Sequence, residues 1–447
     1  MSASRVLVVG LAATGEAVAR HFAPDATVTV IDDNLDAEVL ARRAAEVGAV
    51  LPPKDATPVE LMAVQDLVVP SPGVPPAHPV LVAATNARVP IRSEIDLAAE
   101  RLPAPLVAVT GTNGKTTVTT LIAAMLERAG RKTVAAGNIG RPLLDVADAG
   151  ADLDVVVAEV SSFQLEFTTR FRPRIAVLLD VAPDHLDWHG SFTAYAAAKA
   201  RVFAEQQSDD VLVANHDDPI VVELVAAASS SRHWYSTDPG TKAGYRIEGD
   251  KLVDGAGVAL VKIADLAPRA PHDVANALAA AAAAQAAGAS NEAIGAVLVD
   301  RPRAPHRLTP VATVRRVTYI DDSKATNPHA TVSAVLGFDR VVLVAGGRNK
   351  GLDLRPLRDV VSRMTAVIAI GDAAAEVEKT FRGTVPVERA TSMRDAVRAA
   401  ARRARPGDVV LLSPACASFD WYADYAARGD DFAREVAALA SEQAGVA

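Results

Sequence analysis

The chain reads as an α/β protein of three domains, each a mainly parallel sheet covered by helices. Three observations predict this. Short β-branched runs alternate with alanine-rich amphipathic stretches, the pattern of parallel strands joined by helical crossovers. The pattern restarts twice, after Pro103-Ala104-Pro105 and after Arg301-Pro302-Arg303-Ala304-Pro305. And 447 residues are too many for one core, since a domain takes roughly 150. Breaks near residues 95 and 303 give domains 1–95, 96–303 and 304–447.

The first domain opens with the strand Val6–Val9, a turn at Gly10 and a helix, followed by strands Thr27–Ile31 and Asp66–Val69. Its start looks like a dinucleotide fingerprint that has Gly10 and Gly15 but carries Ala12 where backbone comes closest to a pyrophosphate. Asp32 and Asp33 end the second strand, where an acid can accept from a ribose hydroxyl or a base N–H. The expectation is a Rossmann-like domain for a nucleotide diphosphate other than NAD. Ser71-Pro72-Gly73 is either a second turn along that ligand or a turn only.

The second domain has strands Val107–Thr110, Val155–Ala158, Ile175–Leu179 and Val211–Ala214. The first runs into Gly111-Thr112-Asn113-Gly114-Lys115-Thr116-Thr117 and then a helix. Two glycines let backbone N–H groups converge on phosphate oxygens, and the helix start adds partial positive charge. Lys115 would neutralise the β and γ phosphates, and the Thr116 hydroxyl would complete the shell of a magnesium ion. The general phosphate loop has glycine at the position of Val109, so this loop is a shorter variant. Read alone, Gly-Lys-Thr could be an ordinary glycine turn. The strand before it and the helix after it favour ATP.

Downstream, Glu159 ends a strand beside the loop and reads either as a magnesium ligand or as a cap for the helix opened by Ser161 and Ser162. His185, in Asp184-His185-Leu186-Asp187, reads as functional or as a surface histidine. Lys199, in an alanine-rich helix, reads by composition as a lysine that snorkels to solvent. The alanine run Ala279–Ala287 is a good helix former rather than a membrane span.

Strands Val317–Ile320, Val341–Ala345, Ala366–Ile370 and Val409–Leu412 make the third domain. Polar clusters follow them: Asp322-Ser323-Lys324, Gly346-Gly347-Arg348-Asn349-Lys350 and Ser413-Pro414-Ala415-Cys416. Ligands of open α/β sheets bind beyond the carboxyl ends of strands, so these clusters belong to one large site shared by the domains.

Composition sets limits. Half the residues are hydrophobic, 22% are charged and the net charge is −8 with the signs interspersed, which argues against a broad nucleic-acid surface. Cys416 is the single cysteine, so no disulfide forms within the chain and a reducing, cytoplasmic setting is expected. No secretory signal or apolar run of membrane-spanning length is read.

Gly111–Thr117, Gly137-Asn138-Ile139-Gly140, Glu159-Val160-Ser161-Ser162-Phe163-Gln164, Asp184-His185-Leu186-Asp187 and the Lys199 helix resemble the Mur ligases in order and spacing. In the third domain, Asp322-Ser323-Lys324-Ala325-Thr326-Asn327-Pro328 and Ser413-Pro414-Ala415-Cys416-Ala417-Ser418-Phe419-Asp420 look like the branch that adds D-glutamate. The resemblance covers essentially the whole chain. It implies an N-terminal Rossmann-like domain for a uridine-linked substrate, a central P-loop ATPase domain and a C-terminal Rossmann-like domain. It also implies a reaction of peptidoglycan synthesis. ATP phosphorylates the carboxylate of UDP-N-acetylmuramoyl-L-alanine, and the amine of D-glutamate attacks the acyl phosphate, giving an amide, ADP and phosphate. The implied working unit is a monomer with small-molecule partners only.

Residue roles follow from the same resemblance. Lys115, His185, Lys199 and Arg307 would be catalytic, and Thr116 and Glu159 would hold the Mg2+ of ATP. His185 would hold a second Mg2+, with Lys199 converted by CO2 to a carbamate that also ligates metal. ATP would meet Gly111, Thr112, Asn113, Gly114, Lys115, Thr116 and Thr117, with Asn276 on adenine, Arg307 on phosphate and Asp322 on ribose. The UDP substrate would meet Ala13, Thr14, Asp32, Ser71, Gly73, Asn138 and His185; D-glutamate would meet Thr326, Lys350, Ser418 and Phe419. Asp33-Asn34 departs from relatives that carry threonine and a basic residue for uracil, and the Gly347–Lys350 loop differs in detail. Three rivals are a ligase for another amino acid or a folate, an NAD-dependent oxidoreductase, and an ATPase without ligation.

Overall fold

The computed structural model describes residues 3–242, 244–266, 271–300 and 305–444. Three sheets organise it. The first has β1 (Arg5–Val9), β2 (Thr27–Ile31) and β3 (Leu67–Pro70) in parallel, ordered β2-β1-β3. Ser71 donates from Oγ to the Gly10 carbonyl at 2.7 Å. A Cβ at Gly15 would stand 2.0 Å from that carbonyl oxygen, so glycine there lets the first helix (Ala13–Phe22) pack onto the turn.

The second sheet is built from β4 (Leu106–Thr110), β5 (Thr133–Gly137), β6 (Val155–Glu159), β7 (Ile175–Leu178), β8 (Val211–Asn215), β9 (Ser231–Ser236), β10 (Tyr245–Glu248), β11 (Lys251–Val253) and β12 (Ala259–Lys262). Its order is β12-β11-β10-β9-β8-β7-β4-β6-β5, parallel except where β11 meets β10 and β12. β4 and β7 are buried along their whole length, because helices cover both faces and the strands read as unbroken apolar runs. The helix Pro271–Ala286 carries the alanine run, and Ala277–Ala284 are essentially inaccessible. Small side chains let this helix lie close against its neighbours, so the run is core.

The third sheet has β13 (Thr309–Val314), β14 (Val317–Asp321), β15 (Val341–Gly346), β16 (Met364–Ile370), β17 (Val387–Arg389) and β18 (Val409–Ala415), ordered β13-β14-β18-β15-β16-β17. Only the edge pair β13–β14 is antiparallel.

Every strand expected from the sequence is present with bounds within a residue or two, except that the one expected at Val409–Leu412 runs three residues further, to Ala415. The additional ones, β5, β9–β13 and β17, lie at or toward sheet edges and carry polar or small residues, so no apolar run marks them. The chain divides into two compact units: one holds the first two sheets, the other the third sheet together with residues Ala182–Asp187. The break read near residue 95 falls inside the helix Glu94–Ala99, which is held firmly: Asp96 accepts from Arg92, Thr169 and the Arg170 N–H, and Glu94 accepts from the Leu144 N–H. The break near residue 303 lies outside the described residues.

Candidate active site

Strand order assembles the phosphate loop. β4 lies between β6 and β7, so the loop leaving β4 meets Glu159 on one side and Asp180 on the other. A Cβ on Gly111 would stand 2.8 Å from the Leu179 Cβ. Gly114 has φ +82°, and a Cβ there would lie 2.4 Å from Asn276 Oδ1. Both glycines are therefore demanded, and Asn276, the expected adenine residue, stands against the loop itself.

Asp180, which the sequence reading passed over, braces the loop. Its carboxylate accepts from the Asn113 N–H at 2.7 Å and from Asn113 Nδ2 at 3.1 Å, while its carbonyl accepts from the Thr112 N–H at 2.9 Å. The available signal was position, since it is the first polar residue after a strand neighbouring β4. Lys115 Nζ donates to the carbonyls of Gly111 and Thr112, each at 3.0 Å. Lys199 does not snorkel. It is 1% exposed, and its Nζ donates to the same Gly111 carbonyl at 2.6 Å and lies 4.6 Å from the Tyr195 ring centre. The Tyr195 hydroxyl is 3.0 Å from Thr112 Oγ1, a second contact that composition did not signal.

Glu159 ends β6 buried. Its Oε1 accepts from Asn138 Nδ2 at 2.9 Å, and its Oε2 is buried with no hydrogen-bond partner. The capping alternative is excluded, because Ser161 caps the helix Ser162–Glu166 through a capping box with Gln164. A buried carboxylate oxygen without a donor, at the end of a strand beside the phosphate loop, suits Mg2+, which takes few protein oxygens and fills its shell with phosphate and water. No group of three or more His, Cys, Asp or Glu side chains able to hold a metal occurs among the described residues.

Around the first sheet, Asp32 turns inward. It accepts from the Leu11 N–H at 2.7 Å through one oxygen and from the N–H groups of Asn34 and Leu35 through the other. Its carboxylate thus shapes the Gly10 turn. Ser71 is buried behind that turn, whereas Ala13 and Gly73 are exposed, Thr14 is half-buried and the exposed Asn138 faces Glu159. The exposed Asp33 contacts His78 Nε2 at 2.9 Å.

In the other unit, β18 lies between β14 and β15, which brings the loops after these three strands together. Asp184 collects several of the expected residues: Oδ1 meets Lys350 Nζ at 2.5 Å and accepts from the His185 N–H at 2.9 Å, and Oδ2 accepts from Asn327 Nδ2 at 3.2 Å. Burial pushes the Asp184 carboxyl up, but Lys350, His185 and Asn327 outweigh it and hold the group below its ordinary range. His185 has φ +51°, a strained conformation for a residue with a side chain.

Asp322 is buried, and burial raises its carboxyl to about 7 despite the Ser413 hydroxyl, the charge of Arg307 and the Leu308 N–H. Its two oxygens accept from Ser413 Oγ at 2.8 Å and the Leu308 N–H at 3.3 Å, so as placed it faces inward. Arg307 Nε is buried without a hydrogen-bond partner, a donor suited to an anionic oxygen. The loops carrying Lys350 and Ser418 are joined by the Arg348–Ala417 bridge; Ser418 is buried and Thr326 half-buried. Phe419, next to Ser418, is 62% exposed.

Three family models match the chain: Mur ligase MurD-like, N-terminal domain, at residues 4–93; Mur ligase middle domain at 109–284; and Mur ligase, glutamate ligase domain, at 306–416. Among curated relatives, UDP-N-acetylmuramoylalanine–D-glutamate ligase of Frankia casuarinae is 43% identical over 97% of this chain and 94% of its own length. The ligase of the same name from Thermobifida fusca is 41% identical over 98% of both chains. Two solved structures share the fold: MurF from Acinetobacter baumannii, with TM-score 0.63, 19% identity and 91% and 89% of the two chains covered, and a pseudomurein peptide ligase type C from Methanothermus fervidus, with TM-score 0.62, 18% identity and 97% and 100% covered. With its phosphate loop set between Glu159 and Asp180, and with matches along nearly its full length, the chain belongs to the Mur ligase family.

Proposed function

We propose that the chain is an ATP-dependent amide ligase of peptidoglycan synthesis that joins D-glutamate to UDP-N-acetylmuramoyl-L-alanine. The carrying observation is a phosphate loop braced by Asp180 and flanked by the unpartnered Oε2 of Glu159, in a chain 43% identical to a ligase of that name. A carboxylate oxygen of the alanine attacks the γ-phosphorus of ATP and ADP leaves. The D-glutamate nitrogen then attacks the acyl carbon, loses a proton, and phosphate departs with the former carboxylate oxygen.

This chain's residues serve those steps through charge and position. Lys115 exchanges two carbonyl contacts for phosphate oxygens, and the orphaned Arg307 Nε supplies a further donor to the phosphates. The exposed Asn138, with Thr14, faces the uridine-linked substrate, and Lys350, Thr326 and Ser418 receive D-glutamate. Thr116 and Glu159 would hold Mg2+, which when bound neutralises phosphate charge. Lys199 as a buried cation is no metal ligand. Its carbamate would be one, and His185 would be the ligand of a second Mg2+. No helix among the described residues is long and apolar enough to cross a membrane. The proposed setting is a cytoplasmic monomer.

The acyl phosphate is tested by isotope. With both alanine carboxylate oxygens labelled as 18O, one label should leave in inorganic phosphate per turnover. Unlabelled phosphate would sink the mechanism. For Lys199, incubation with 13C-bicarbonate should give a carbamate carbon resonance that Lys199→Arg lacks. A spectrum without that resonance in active enzyme contradicts the modification.

A further inference from the structure

The buried groups of the C-terminal unit include one that none of the roles above uses. Arg428 is 1% exposed, and among the described residues it makes no ion pair with a carboxylate. It sits four residues into the helix Tyr425–Ala444, near the end of a helix where positive charge is disfavoured. A guanidinium in such a place is costly unless its N–H groups are satisfied and its charge is used.

The N–H groups are satisfied by two of the three converging loops. Nε donates to Ser323 Oγ at 2.9 Å and Nη2 to the Ser323 carbonyl at 2.8 Å, after β14. Nη1 donates to the carbonyls of Cys416 and Ala417 at 3.1 and 3.2 Å, after β18. The third loop joins through a shared acceptor, since the Ala417 carbonyl also accepts from the Arg348 N–H at 2.8 Å. A Cβ on Gly347 would lie 2.2 Å from that carbonyl oxygen and 3.0 Å from Nη1, so only glycine permits the approach. Ser323 Oγ in turn donates to the Tyr425 carbonyl at 2.7 Å, tying the loop to the helix that bears the arginine. Lys350 lies two residues beyond Arg348, and Ser418 follows Ala417 directly. Burial lowers the guanidinium to about 10, which leaves it charged at neutral pH.

We propose that Arg428 is a positioning residue for the D-glutamate pocket: it fixes the Ser323, Arg348 and Ala417 loops relative to one another and adds buried positive charge that favours a dicarboxylate. A lysine could carry the charge but not reach both loops with a planar fork. The proposal rests on the reading of Lys350 and Ser418 as that pocket.

The experiment compares Arg428→Met, Arg428→Lys, Ser323→Ala and Lys350→Met in full-length enzyme, reading KM for each of the three substrates, kcat and thermal melting. Arg428→Met should raise the D-glutamate KM by about tenfold or more and leave the ATP and UDP-substrate KM values within about twofold. Arg428→Lys should fall between it and the parent, and Ser323→Ala should raise the same KM alone. A D-glutamate KM that does not move in the Arg428 variants while Lys350→Met raises it would overturn the proposal, as would a parallel rise in all three KM values. An unmoved D-glutamate KM in Lys350→Met would instead remove the pocket reading beneath it. If Arg428→Met does not fold, Ser323→Ala decides, and an unchanged D-glutamate KM there overturns the proposal.

Discussion

At the residue scale the Gly111 carbonyl accepts from two lysines, Lys115 and Lys199, and only one of them is held there by burial. Lys115 is half-buried and bonded to carbonyls alone, so it is free to leave them for phosphate. Lys115→Ala should keep the melting temperature within a few degrees and cut phosphate release by about a thousandfold; near-normal turnover would remove Lys115 from the mechanism. Two carboxyls set a pH dependence. Burial raises both Glu94 and Asp322 to about 7, so each binds its proton more tightly folded than unfolded. The stability this lends is whole below the unfolded carboxylate range and is lost as pH climbs toward and through 7, on the order of 3 kcal/mol for each group. Urea melts of Glu94→Gln and Asp322→Asn should therefore gain on the parent between about pH 5 and pH 8. Curves that stay parallel to the parent would contradict the assignment. The loop residues were legible because glycine, lysine and threonine spacing carries phosphate chemistry. Lys199 was not, since a lysine between Ala198 and Ala200 reads by composition as solvent-facing and only the family resemblance raised it, although Phe192, Tyr195, Val202 and Phe203 at helical spacing mark its face as the buried one.

At the scale of elements the polar cluster of each unit is a product of strand order. β4 between β6 and β7, and β18 between β14 and β15, bring polar strand ends together that lie far apart in sequence. The buried strands were readable as apolar runs, and their polar ends as candidate ligand residues. Order was not readable, so Asp180 escaped notice although its strand had been found. Strands toward a sheet edge, such as β9 (Ser-Arg-His-Trp-Tyr-Ser) between β8 and β10, also escaped, because a strand with a solvated face and charged residues has no continuous apolar signature. The loop geometry makes its own prediction. Gly114→Ala forces a side chain into φ +82° and against Asn276 Oδ1, and should cost about 1–3 kcal/mol as well as ATP turnover. Adding Asn276→Ala should recover part of the stability but not the conformational part, giving a non-additive double-mutant cycle in urea melts. Strict additivity would mean that Asn276 does not press on the loop.

At the scale of the whole molecule, three mainly parallel sheets and a chain 43% identical over 97% of its length to a D-glutamate ligase leave the folate, NAD and bare-ATPase rivals without support. The missing middle glycine at Ala12 belongs with this outcome, because the first sheet's turn is closed by Ser71, Asp32 and Gly15 rather than opened for a dinucleotide. What remains central is the coupling of ATP cleavage to amide formation with one particular amino acid. Phosphate release from ATP, followed continuously, tests it most directly. It should require UDP-N-acetylmuramoyl-L-alanine and D-glutamate together, with ADP, phosphate and amide formed in equal amounts, and L-glutamate, lysine and other D-amino acids should not replace D-glutamate. Release that proceeds without an amino acid, or equally well with L-glutamate or lysine, would contradict the account.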